Sequence, residues 1–101
     1  MGVVNDIPQV VNDQAGSRFI VQADGEVAEL VYQLKGDRLV LIHTGVPEAL
    51  EGRGLGSRLA AAAIDEAKRR GLTIVPLCPF VTGWLERHPD VAATVPIAGR
   101  G

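Results

Sequence analysis

A change of hydrophobic period halfway along the chain constrains the fold more than any other feature. Before Pro47 the apolar residues alternate. In Glu26–Leu34, the residues Ala28, Leu30, Tyr32 and Leu34 alternate against Val27, Glu29, Val31 and Gln33. This is the period of a half-buried strand. After Gly56 the period lengthens, and Leu55, Leu59, Ala63, Ile64 and Ala67 recur at helical spacing. A chain that alternates and then turns helical has to lay the helix on a sheet to bury either apolar face. With 101 residues there is room for one domain.

The remaining elements follow from breaks in the two patterns. Gln9–Asn12 reads as a short edge strand, and Ser17–Ala23 as a strand with Phe19 and Val21 on one face. Asp24-Gly25 is a two-residue hairpin signal. Lys35-Gly36-Asp37 is a second turn, followed by a long strand over Arg38–Val46 that Pro47 ends. The spacing predicts a helix over Arg53–Arg70, with Ala60–Ala63 as strong helix formers. Asp65–Arg69 and Glu66–Arg70 are favourable i,i+4 pairs, and Gly71 suits the position after the last turn. Leu72–Pro76 reads as a buried strand and Phe80–Arg87 as a second helix ended by Pro89. The fold class is therefore α+β: an antiparallel meander, then a β-α-β crossover that sets Arg38–Val46 parallel to Leu72–Pro76, then a short C-terminal helix. Residues 1–8 and 90–101 are expected to be mobile ends of a single 1–101 domain.

Composition removes several functional classes. A net charge of −2 lacks the basic excess of a nucleic-acid binder. Cys78 is the only cysteine, so no internal disulfide forms. No apolar run approaches the roughly 18 residues of a membrane span. No Cys/His cluster has metal-ligand spacing, so no metal is expected. A cytoplasmic location is the default expectation.

The segment Gly52-Arg53-Gly54-Leu55-Gly56-Ser57 lies between a strand and a helix start. The first N–H groups of a helix have no internal partner and sit at its positive end, which favours an anion such as a pyrophosphate. Glycines at 54 and 56 leave those amides bare. A P-loop would need Lys-Ser/Thr after the last glycine, where Ser57-Arg58 stands. A dinucleotide fingerprint would need a third glycine and a preceding parallel strand. The same glycines also serve a ligand-free role, as a tight turn and a close helix–sheet contact.

The run from His43 to Gly56, the Ala-rich helix after it, and Leu77-Cys78-Pro79-Phe80 with Trp84 and His88-Pro89 resemble the small GNAT-fold acetyltransferase-like proteins. The resemblance covers Phe19 to Pro89. The phosphate motif of that family, Gln/Arg-x-x-Gly-x-Gly/Ala, is matched at Gly54 and Gly56 and departed from at Glu51. The resemblance implies an N-acetyltransferase that takes acetyl-coenzyme A. It implies that amides of Gly52, Arg53, Gly54, Leu55, Gly56 and Ser57 hold the pyrophosphate, with Arg53 and Arg58 as supplementary phosphate contacts. It implies too that the pantetheine arm pairs with the His43–Val46 strand end in a splay beside Leu72–Pro76, and that the Val46 N–H polarises the thioester carbonyl. The tyrosine acid found in many members is absent, since Tyr32 lies in the hairpin. Cys78, just before a helix N-terminus, is the candidate nucleophile or replacement acid; its ordinary alternative is a small buried hydrophobe. His43 is the candidate general base, and His88 a helix-terminal cap. The acceptor expected is a small amine or an exposed protein lysine: Asp13–Gly16 is too short for the acceptor-binding helices of larger members, which leaves the acceptor side open or completed by a partner chain. A non-catalytic acyl-CoA-binding module is the competing expectation. Oligomeric state stays open.

Overall fold

Residues 8–99 are described by a computed structural model; the predicted mobility of residues 1–7, 100 and 101 falls outside them. Strands β1 (Val10–Asp13), β2 (Arg18–Ala23), β3 (Glu26–Lys35), β4 (Arg38–Gly45) and β5 (Thr73–Pro76) form one sheet in sequence order. The first four are antiparallel, and β5 joins β4 in parallel. The connections explain the meander. At the β2–β3 hairpin Asp24 and Gly25 have φ of 53° and 77°, the doubly positive pair that a two-residue type I′ turn needs. The β1–β2 link is a short turn in which Gly16 N–H donates to Asp13 Oδ1 at 3.1 Å.

Alternation sets the core face. Phe19, Val21, Ala28, Leu30 and Tyr32 are buried, while their neighbours Ile20, Glu29 and Val31 are only half-buried on the other face. Helix α1 (Leu55–Arg70) lies mainly against β2 and β3 and fills this face with Leu59, Ala63, Ile64 and Ala67. Burial of each large aliphatic side chain there contributes about 1.5–3 kcal/mol. Helix α2 (Pro79–Arg87) adds Val81, Trp84 and Leu85 to the same core.

Four details differ from the sequence expectation. Helix α1 starts at Leu55 rather than Arg53, because Gly54 has φ 74° and ψ 18° and so cannot belong to a right-handed helix. Arg69 does not pair with Asp65. It bonds Glu66, which also takes Arg70 Nη1 at 3.1 Å; Glu66 is 5% exposed, and a buried carboxylate draws both guanidinium groups. The strand over residues 38–46 is not continuous in register: Tyr32 faces Leu41 but Val31 faces His43, leaving Ile42 as a bulge in β4. The C-terminal segment is built into the fold. Pro89–Ala92 form a short helix α3, Val95 is buried, and Ile97 bridges Ile74 on the outer edge of β5. The N–H of Ile74 donates to Pro96 O at 2.9 Å, and the N–H of Ala98 to Ile74 O at 2.8 Å. Among the described residues no helix is long and apolar enough to cross a membrane.

Candidate active site

The site begins where β4 and β5 part. Their parallel register stops at Leu41 and Pro76. The Leu41 carbonyl then accepts two N–H groups, from Leu77 and Cys78, each at 3.0 Å. Beyond that point β4 runs on to Gly45 with no partner in β5, because the chain after Pro76 turns away into α2. The bulge at Ile42 sits at the parting and adds local twist. A wedge opens whose β4 wall is extended backbone, the shape into which a peptide-like arm can insert and pair.

At the same end of the sheet Pro47 leads into a 3-10 turn over Glu48–Leu50. Leu50 is fully buried and anchors this turn. Gly52 (φ 84°) and Gly54 (φ 74°) then bend the chain into α1. A Cβ at either glycine would meet nothing within 4 Å, so the space over the turn is open. Helix α1 has no side-chain cap. Its first bonded amide outside the helical ladder is Arg58 N–H, to Gly54 O at 3.1 Å. Among the described residues, the amides of Leu55, Gly56 and Ser57 have no backbone acceptor. Three bare amides at the positive end of a 16-residue helix are donors of the kind that suits an anion. Gly56 has a further role: a Cβ there would come within 2.7 Å of Phe80 Cζ, so its bare Cα lets α2 approach α1.

The predicted side chains separate into three groups. Arg53, half-exposed, reaches away from the turn to Asp24, Nη2–Oδ2 2.7 Å. Arg58 is turned to the carbonyl of Pro8 and so is engaged away from the turn. Glu51 is exposed, its N–H donating to Glu48 O. Val46, half-buried, packs against the core at the end of β4.

Cys78 stands where the two strands part, as the residue before α2, 3% exposed, with Sγ 3.2 Å from Thr44 Oγ1. This contact links the two diverging walls through side chains where the backbone no longer does. His43 is exposed on the opposite face of β4, paired across from Val31, and so is not beside Cys78. A Cβ at Gly45 would lie 3.2 Å from His43 Nε2, so the bare glycine keeps that side of the strand uncrowded. Tyr32 is no substitute acid: its hydroxyl donates to Asn12 Oδ1 at 2.7 Å on β1, at the far side of the sheet from β5. His88 caps α2, with Nδ1 2.8 Å from Trp84 O and its ring stacked on Trp84. Thr44 was not legible as a site residue, because only the bulge gives it the face of Cys78.

A mixed sheet split beside a glycine-bared helix start defines the acyltransferase-like class of α+β folds. A sequence model of the GCN5-related N-acetyl-transferase family matches residues 18–95, and the chain belongs to that family. It is 34% identical to the protein NATD1 of Gallus gallus over 84 residues, covering 80% of this chain and 76% of that protein. It is 33% identical to NATD1 of Homo sapiens, over 80% and 74% of the two chains. The NMR solution structure of a GCN5-like protein from Staphylococcus aureus superposes with a TM-score of 0.70 at 25% identity, covering 92% of this chain and 90% of that one.

Proposed function

We propose that the protein transfers an acetyl group from acetyl-coenzyme A to an amine. The observation that carries this reading is the wedge between β4 and β5 opening directly beside the bared amides of α1. The amides of Leu55, Gly56 and Ser57 and the glycine turn at 52–54 would hold the cofactor's diphosphate. The β4 end from His43 to Val46 would pair with its pantetheine arm. Acetyl-coenzyme A supplies the thioester, whose carbonyl carbon accepts the amine as the C–S bond breaks.

The chain's own groups divide the proton work by face. Cys78, beside Thr44 where the strands part, gives a proton to the departing sulfur, and His43, on the other face, takes the proton from the attacking amine. A covalent route uses the same cysteine: its sulfur attacks the acetyl carbon, coenzyme A leaves as the thiol, and the amine then cleaves the acetyl-cysteine. The acceptor is a small amine or an exposed lysine, since no helix is inserted between β1 and β2.

Acetyl-coenzyme A at about 100 times its Kd is expected to add about 2.7 kcal/mol to stability and to raise the melting temperature by several degrees. No shift at millimolar concentration removes the reading. With binding established, release of coenzyme A thiol in the presence of amines measures transfer, and binding without release makes the chain an acyl-CoA-binding module. Mass spectrometry separates the routes: a stable acetyl adduct lost in Cys78→Ser marks the covalent one.

A further inference from the structure

The glycine turn carries its own competitor for phosphate. Between Pro47 and Ser57 the only cation is Arg53, set among Glu48 and Glu51. Yet its guanidinium is bound across a gap to Asp24 at the tip of the β2–β3 hairpin, 2.7 Å away. Of the acidic residues near it in the chain or the fold, Asp24 is the one its guanidinium is paired with. Arg53 is flanked by Gly52 and Gly54, both at positive φ and both with open space around their Cα atoms. The side chain is thus mounted between two residues that put no Cβ in its way.

We infer that Asp24 is an affinity-setting residue of this site: it holds Arg53 away from the turn until a phosphate of the cofactor takes the guanidinium over. The inference rests on the reading that the turn binds acetyl-coenzyme A. The direction of the exchange follows from the strengths involved. Arg53 and Asp24 are 48% and 64% exposed, so their attraction is screened and weak. A phosphate offers more charge and a bidentate match to guanidinium, and the neighbouring bare amides add to the local attraction. Breaking the Asp24 pair is then a cost of binding, and removing Asp24 removes the cost. The hairpin also becomes a reporter of the site, since Asp24 loses its partner when the turn fills.

The test is titration of acetyl-coenzyme A by calorimetry into the wild type, Asp24→Asn, Arg53→Gln and the double variant. Asparagine keeps the hairpin, because it accepts the left-handed conformation that Asp24 adopts at φ 53°; a ligand-free melting temperature lowered by no more than the few degrees that loss of an exposed ion pair brings verifies this. Asp24→Asn is expected to bind about two- to fivefold more tightly at low salt, the range of an exposed ion pair. This gain should fade in about 1 M salt, where charges are screened within about 3 Å. Arg53→Gln is expected to bind about tenfold more weakly, and the double variant to match it. Unchanged or weaker binding by Asp24→Asn overturns the role of Asp24 while leaving the site intact. So does an equal gain in the Arg53→Gln background, which would mark a general charge effect. Failure of the wild type to bind overturns the glycine-turn reading and this inference together.

Discussion

At the scale of single residues, one extra amino acid decides which side chains meet. Counting by twos from Leu39 and Leu41 puts His43 on the core face and Thr44 outside. The bulge at Ile42 reverses that parity, so Thr44 meets Cys78 and His43 faces away. Tyr32 shows the converse, a residue whose role is structural. It is 6% exposed, packs against Phe19 with ring centroids 5.1 Å apart and donates to Asn12. Burial, the largest cause, pushes its phenol above the ordinary value. The neutral form is thus favoured in the fold. Stability from this group is complete below about pH 10, where the unfolded phenol begins to ionise, and is lost as pH rises toward the folded value. Tyr32 is the only tyrosine, so phenolate absorbance should titrate with a midpoint above about 10 in the native protein. Tyr32→Phe is expected to abolish that alkaline loss and to cost about 1 kcal/mol at neutral pH in urea unfolding.

At the scale of elements, the sheet is finished by a segment with no strand pattern. The edge of β5 is covered by Pro96–Ala98, through the two hydrogen bonds to Ile74, and Val95 plugs the core at 8% exposure. An uncovered β5 would present unpaired backbone groups to other chains. Truncation after Thr94 is therefore expected to lower the unfolding free energy by about 3 kcal/mol, from lost burial and hydrogen bonds. The truncated chain should also self-associate with rising concentration, as light scattering or sedimentation would register. A truncated protein that is monomeric and equally stable would show that this segment adds nothing. The start of α1 makes a different trade: it has no side-chain cap, and the stabilisation of about 1 kcal/mol that a serine or aspartate gives there is forgone. Its first three amides are left without a backbone acceptor.

At the scale of the whole molecule, one cluster of buried side chains runs from Phe19 in β2 through α1 to Leu85 in α2 and Val95 near the end. No element holds a core of its own, so unfolding is expected to be a single transition. Trp84, the only tryptophan and 4% exposed, reports on α2, while far-ultraviolet circular dichroism reports on α1 and the sheet. Their urea curves should coincide; a separate early change in tryptophan fluorescence would show that α2 melts alone. The order of elements was legible from residue pattern, because hydrophobic period, Asp24-Gly25 and the Pro47 and Gly71 punctuation are local signals. The glycine turn was legible for the same reason, since bare amides at a helix start depend on neighbours in sequence. Three things were decided only in the folded chain. The bulge at Ile42 belongs to the register in which β4 pairs with β3. The pairing of Arg53 with Asp24 joins residues brought together by the hairpin. The contact of Thr44 with Cys78 exists because β5 turns into α2 where β4 continues. Each is an interaction between segments distant along the chain, and no local period encodes which of them will meet.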